Sequence, residues 1–291
     1  MSNLWANYST NVEFALIGII LSLAIFTGVW SGVLSVAPIG FASFAAFIVT
    51  NIDNRYQQIH YLLPIIGAAI GLVLSLLIAP IFLRLSSHYL ALATIAFVIL
   101  TTVLALNLDH FTGGVLGIPA KRHISMFEVF IYTLAVMYVF GRLRRSSFGL
   151  KLEALREQPE IAASLGIDVY KTSKLAFALG GCIGGLGGAI YAQMIQYIEP
   201  SSFGMHLAFL SLAAVVLGGP YHWLGPVLGT LVYAIIPEFL RPIFGDSKDI
   251  GYGIIVIGVI LLLPHGIVDP KRVSEFFENS SKRFSKTNGI K

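Results

Sequence analysis

Residues 141–174 read GRLRRSSFGLKLEALREQPEIAASLGIDVYKTSK. Seven of the chain's 19 lysines and arginines fall here: Arg142, Arg144, Arg145, Lys151, Arg156, Lys171 and Lys174. Long apolar runs border the stretch on both sides. A plain connection between membrane helices is a few residues long, so a polar segment of this length is expected to carry structure of its own. Phe148 to Glu157 has Leu152 and Leu155 on one side and polar residues elsewhere, which predicts a helix. Pro159 ends that run and suits the first turn of a second helix. Glu160 then lies near the positive N-terminal end of that helix, a favourable place for a carboxylate. Gly166 falls where a left-handed C-terminal residue is expected. The second helix is about two turns long, with Ile161 and Leu165 on one face and Ala162 and Ala163 closing the remaining side with small groups.

So short a helix is marginal in water by itself. Its small, partly apolar surface suits the groove of another protein. The alternative is an amphipathic segment lying on the bilayer, but such helices usually carry aromatic anchors, and Pro159 to Gly166 has none.

Outward from this loop the 291-residue, 31.5 kDa chain is apolar, with 56% hydrophobic and 12% charged residues and a mean hydropathy of +0.81. Soluble domains are nearer one quarter charged, which excludes a soluble single-domain enzyme and predicts an all-α, polytopic helical membrane protein. With about 20 apolar residues per crossing, about nine spans (8–10) are expected, at roughly 12–34, 33–50, 61–83, 88–108, 124–140, 174–197, 203–218, 223–244 and 250–268. The second is the weakest, being short and interrupted by Pro38 and Gly40. A re-entrant or discontinuous helix is the alternative there, tolerated where protein or water covers its free backbone groups. Met1 to Asn11 lacks Lys and Arg, so no cleavable secretory signal is expected. The chain divides into an N-terminal membrane region (1–140), the polar loop (141–174), a C-terminal membrane region (175–268) and a basic tail (269–291).

Charge predicts sidedness. Six further basic residues follow Asp269 (Lys271, Arg272, Lys282, Arg283, Lys286 and Lys291). The positive-inside rule places both basic segments in the cytoplasm. Four spans separate them, an even number, so the placements agree; five spans precede the first, which puts the N-terminus outside and the C-terminus in the cytoplasm. Lys121 and Arg122 then fall in an outer loop, against thirteen charges that favour the assignment. The net charge of +4 and pI of about 9.1 reflect this loop placement. In the tail, Phe276, Phe277 and Phe284 interleave with basic residues, a pattern suited to anionic lipid headgroups, and no nucleic-acid partner is expected.

Phe177 to Ala192 reads FALGGCIGGLGGAIYA. Gly180, Gly184 and Gly188 are spaced by four, as are Gly181, Gly185 and Ala189. Small residues at this spacing let helix backbones approach closely in lipid, so the sixth span is expected to be a tightly packed internal helix, and a sharper reading has it slide against a neighbour. No G-x-G-x-x-G nucleotide-binding pattern with its acidic partner is present.

The element Glu160-x-Ala162-Ala163-x-x-Gly166 between membrane spans resembles the coupling-helix motif of ABC importer permeases. The surrounding sequence is similar to the LivM-type branched-chain amino acid permeases. Similar stretches are Leu83-Arg84-Leu85 followed by Tyr89 to Phe97; Thr112-Gly113-Gly114 with Gly117-Ile118-Pro119; and Ser147-Phe148-Gly149 before Leu155-Arg156-Glu157. Further along come Gly166-Ile167-Asp168 before Lys174 to Phe177, Val216 to Gly219 before Gly225 to Gly229, and Pro237 to Arg241. They run in family order from about residue 20 to 268. Ser86-Ser87-His88, Pro220-Tyr221-His222-Trp223 and Pro38 depart from the family pattern and bear on the solute more than on the class.

The resemblance implies a permease subunit in the plasma membrane (the inner membrane of a bacterium). It would pair with a homologous LivH-like subunit, two ABC ATPase subunits and an extracytoplasmic solute-binding protein. Coupling to the ATPases would involve Glu157, Glu160, Ile161, Ala162, Ala163, Leu165 and Gly166. Pro38, Ser43, Tyr89 and Thr94 are candidates for lining the solute path, whose few polar groups suit an amino acid with an apolar side chain. Urea or short amides are the alternative solutes within the class. The chain has no P-loop, so ATP and Mg are expected on partner subunits and no cofactor or catalytic residue on this one.

Other classes lack their marks. A membrane-embedded enzyme needs clustered acid/base or metal-binding residues; the histidines at 60, 88, 110, 123, 206, 222 and 265 are scattered, and the single cysteine, Cys182, excludes a Cys-rich metal site. An ion-coupled secondary transporter needs a titrating group within the membrane. Glu13 and Glu128 lie near span ends, and Glu238 and Arg241 are spaced to pair along one helix face, a structural pairing preferred to a solute contact.

Overall fold

The computed structural model describes residues 2–55, 62–121, 124–244 and 266–268, with side chains described for 12–55, 62–121, 124–234 and 266–268. Its organising element is α9 (Val169–Ile195), the helix that carries the glycine stripes. Around it lie α1 (Ser2–Trp30), α2 (Ala37–Arg55) and α3 (Leu63–Phe82). The outer helices are α4 (Ser87–Asn107), α6 (Met126–Arg144), α10 (Met205–Gly218) and α11 (Leu224–Phe244). A one-turn α5 (Asp109–Thr112) follows α4, and α7 (Ser147–Glu157) and α8 (Pro159–Ser164) form the polar loop. Two two-residue strands, β1 (Ile118–Pro119) and β2 (Tyr197–Ile198), pair antiparallel with Ile118 opposite Ile198.

Six helical segments are long and apolar enough to cross a bilayer: Val12–Trp30, Leu63–Phe82, Ser87–Asn107, Met126–Arg144, Val169–Ile195 and Pro200–Gly218. The architecture is therefore all-helical and polytopic. Helices α2 and α11 coincide with the predicted second and eighth spans. The predicted ninth span, 250–268, lies outside the described residues except at 266–268, as do the tail and the side chains of Glu238 and Arg241.

The expected break in the second span is absent. Helix α2 runs unbroken from Ala37 to Arg55, because Pro38 occupies its second position, where a helix N–H has no intrahelical partner to lose. Gly40 admits the Phe97 ring, which would clash with a Cβ there. Five residues beyond the expected end remain helical, carrying Asp53 with them.

The two stripes of α9 face different neighbours. A Cβ on Gly184 or Gly188 would collide with the Pro38 or Ala42 carbonyl of α2, and one on Gly180 would meet Thr27 Oγ1 of α1. A Cβ on Gly181 would strike Ser75, and one on Gly185 the Gly67 carbonyl, both on α3. Backbones thus meet with no side chain between them, the close approach through which dispersion holds helices in lipid. Gly188 follows Gly184 as Ala42 follows Pro38, so α2 lies parallel to α9, whereas α3 is antiparallel.

The bundle has two distinct ends. At one lie α7, α8, the Ser31–Val36 turn between α1 and α2, and the Gly219–Trp223 turn between α10 and α11. Ile267 and Val268 donate backbone bonds there to Leu217 and Gly218 (3.0 and 2.9 Å). At the other end lie β1, β2, α5 and the C-terminus of α2.

Candidate functional site

The polar loop is built on a rigid base. Ser146 caps α7, its Oγ accepting from Gly149 N at 3.3 Å and donating to the Leu143 carbonyl at 2.6 Å. A Cβ on Gly149 would strike that same carbonyl, so glycine lets α7 fold tightly back on α6. Leu152 and Leu155 are buried beneath α7. Arg144 and Glu153 add an ion pair at 3.8 Å, which at that length and exposure contributes little.

Gln158 is extended and turns the chain into α8, with Pro159 as its first residue. The helix ends in a Schellman arrangement: Ile167 N donates to the Ala162 carbonyl (3.1 Å) and Gly166 N to the Ala163 carbonyl (3.0 Å). Gly166 has φ +83°, which a side chain adopts only at a cost. Asp168 then caps α9 by accepting from Lys171 N at 2.9 Å. That bond, and the Lys171 ammonium at 3.0 Å, hold its carboxyl below the usual range.

On this base α8 is anchored by one residue. Ala162 is 2% exposed, whereas Ile161 is 55% and Leu165 76% exposed. Glu157, Glu160, Ala163 and Gly166 are exposed as well. Two large apolar side chains therefore stand out from a polar knob held on a capped helix.

Arg156 connects the knob to the bundle. Its Nη1 donates to the Pro220 carbonyl (3.1 Å), its Nη2 to Glu157 (3.2 Å), and its guanidinium lies over the Tyr221 ring. Gly32, at φ +81°, brings the α1–α2 turn against the Arg156 backbone, where a Cβ would come within 3.0 Å of its Cα. Next to Tyr221, the buried His222 ring accepts from Leu224 N at 3.0 Å and stacks on Trp223. Burial, with Arg144 nearby, lowers its pKa to about 4. Sequence reasoning missed Arg156 as a link because its partners are far along the chain. The one available signal was an arginine at the end of a helix that buries its leucines.

The four candidate path residues are not gathered together. Pro38 packs on the α9 glycines. Thr94, fully buried, accepts from Val36 N (3.3 Å) and donates to the Ala91 carbonyl (2.9 Å), so it sits beside the start of α2. Ser43 is buried farther along α2, while Tyr89 is 68% exposed on the outside of α4. Between α2, α3, α4 and α9 an unforeseen aromatic cluster fills the interior. Phe41 lies 5.2 Å from Phe97 and 5.7 Å from Phe177, and Phe82 lies within 5.9 Å of the same two rings. Among the described residues no group of His, Cys, Asp or Glu is arranged to hold a metal ion.

An all-helical bundle with spans of this length is an integral membrane protein. The family described as the permease component of branched-chain amino acid transport systems matches residues 9–264, and the chain belongs to it. It is 25% identical to the high-affinity branched-chain amino acid transport system permease protein LivM of Escherichia coli, over 87% of this chain and 68% of that protein. It is 28% identical to the probable branched-chain amino acid transport permease protein LivH of Methanocaldococcus jannaschii, over 74% and 76%. A nucleoside ABC transporter permease protein, NupC of Lactococcus lactis, is 35% identical over 38% of this chain and 33% of its own. No solved structure matches. The chain is thus a permease component, a transport subunit.

Proposed function

We propose that this chain is a membrane subunit of an ATP-binding-cassette importer for amino acids with apolar, branched side chains. In this reading α8 is the element through which separate ATPase subunits act. The observation that carries it is the pairing of exposed Ile161 and Leu165 with a single buried anchor, Ala162. Apolar side chains held outward on a capped, rigid turn suit a partner's groove, since a preformed shape loses little entropy on docking. The LivM and LivH relatives over most of the chain support the solute class. The end of the bundle that carries α7 and α8 is assigned to the cytoplasm, in the plasma membrane, and the β1–β2 end to the exterior.

A homologous LivH-like permease would complete the path, two ATPase subunits would bind ATP and Mg below it, and a solute-binding protein would deliver from outside. ATPase closure would push α8, and the Arg156 link would pass that displacement to the α10–α11 turn. The α1–α2 turn, leading into Pro38 and the aromatic cluster, would move with it. The glycine faces of α9 give α2 and α3 smooth backbone surfaces against which to shift.

The test is co-purification and uptake. The chain, expressed with its partners and isolated in mild detergent, should bring down a P-loop ATPase. Replacing Ile161 and Leu165 together by serine should abolish that association and energy-dependent leucine uptake. Uptake unaffected by the double replacement would overturn the assignment.

A further inference from the structure

Helix α2 carries a buried charge without a partner. Asp53 is 2% exposed; neither carboxylate oxygen has a hydrogen-bond partner, and no ion pair among the described residues involves it. Thr50 Oγ1 and Asn54 Oδ1 are buried and unpartnered as well. Spacings of three and four residues place Thr50, Asp53 and Asn54 on one helix face. The remaining groups nearby are committed. Asn54 Nδ2 donates to the Pro119 carbonyl (3.0 Å) and Asn51 Nδ2 to the Phe111 carbonyl (2.8 Å). Lys121 directs its ammonium to the Asn54 carbonyl at 3.1 Å. The α4–α6 connection therefore closes over the end of α2 and leaves these four oxygens unmet.

A buried carboxylate is costly unless it is paired and hydrogen-bonded. The four oxygens define what is missing: positive charge together with several N–H donors. A primary ammonium supplies both, with three donors on one compact head. We propose that the Thr50–Asp53–Asn54 face of α2 binds the primary ammonium group of a transported amino acid. The inference rests on the amino-acid reading of function and sharpens it, because a nucleoside or a neutral amide has no such group to offer. An inorganic monovalent cation is the competing source of charge, and it lacks directed N–H donors.

The test uses the full-length chain purified with its permease partner and without a solute-binding protein. Thermal unfolding is followed in millimolar L-leucine, isopentylamine (ammonium, no carboxylate), 4-methylpentanoate (carboxylate, no ammonium) or sodium chloride. Leucine and isopentylamine should each raise the midpoint, and the other two should not. Asp53→Asn should abolish the shift, and Thr50→Val should at least halve it, which keeps the test open if the first variant fails to fold. A shift unchanged in either folded variant, no shift in the wild type, or an equal shift with sodium chloride would overturn the site. Leucine uptake by the complete transporter in proteoliposomes separates the two claims. Uptake without an Asp53-dependent shift overturns this inference alone, whereas absence of uptake overturns the amino-acid reading and the inference with it.

Discussion

The Arg156 guanidinium carbon lies 4.9 Å from the centroid of the Tyr221 ring. The same side chain donates to the Pro220 carbonyl at 3.1 Å, so one residue of α7 grips the turn between α10 and α11 by its ring and its backbone. A planar, always charged fork can make both contacts at once, which the lysine ammonium cannot.

Replacing Arg156 is expected to separate assembly from transport. Arg156→Ala should lower energy-dependent uptake about tenfold, in line with roughly 1 kcal/mol for each lost contact. Arg156→Lys should recover only part of it. Both variants should still bring down the ATPase subunits, because Ile161 and Leu165 are untouched. Uptake and co-purification measured on the same preparation check this.

The glycine faces of α9 lead to a contrast between two alanine substitutions. A Cβ on Gly188 would overlap the Ala42 carbonyl, whereas one on Gly141 meets only Trp223 Cζ2 at an ordinary 3.6 Å. Gly188→Ala is expected to destabilise by about 1–3 kcal/mol, the range for overpacking. Gly141→Ala should be neutral or stabilise by up to about 1 kcal/mol through helix propensity. Thermal unfolding in detergent separates the two.

Gln196 ends α9 in the left-handed region, at φ 59°. Its backbone is held there from both sides: its N–H donates to the Ala192 carbonyl (3.1 Å) and its carbonyl accepts from Ala120 N (2.9 Å). A residue with a Cβ pays about 1–2 kcal/mol for that conformation. Gln196→Gly should therefore raise the unfolding midpoint, with Gln196→Asn intermediate.

His222 provides a pH dependence of known sign. Its pKa in the folded chain, about 4, lies below the value of about 6.5 for a free imidazole. Between those values the unfolded chain binds the proton and the folded chain does not. Its contribution to stability is thus complete above about pH 6.5, is lost as pH falls toward 4, and changes no further below. His222→Gln, which keeps an acceptor but does not titrate, should flatten the part of the stability–pH curve between pH 6.5 and 4 that this residue supplies. Unfolding midpoints of both proteins across that range measure it.

Much of the bundle was legible because the lipid imposes simple rules. Long apolar runs mark helices, and the four-residue spacing of Gly180, Gly184 and Gly188 marks a close-packed face. The turn chemistry at Ser146, Pro159, Gly166 and Asp168 is local, so the positions of α7 and α8 could be read directly. The spacing did not reveal which neighbour each glycine stripe would face, since that depends on the direction and order of packing. The second span looked broken because Pro38 and Gly40 were read as interruptions; one sits in the first helical turn and the other makes room for Phe97. Ending that span at residue 50 also hid Asp53, which falls among polar residues that resemble a loop. Arg156 escaped notice for a different reason: its partners at Pro220 and Tyr221 are brought to it only by the fold. Tyr89 shows the converse, since a local motif gave no sign that its ring would lie on the outside of α4.

The central claim is that α8 faces the cytosol and receives force there, and labelling at Ser164 tests it most directly. This residue is exposed on α8 between Ile161 and Leu165. With Cys182, the chain's one cysteine, replaced by serine, Ser164→Cys should react with an impermeant maleimide in inside-out vesicles, be shielded when the ATPase subunits are bound, and stay unlabelled in intact cells. Labelling of intact cells from outside would contradict the account.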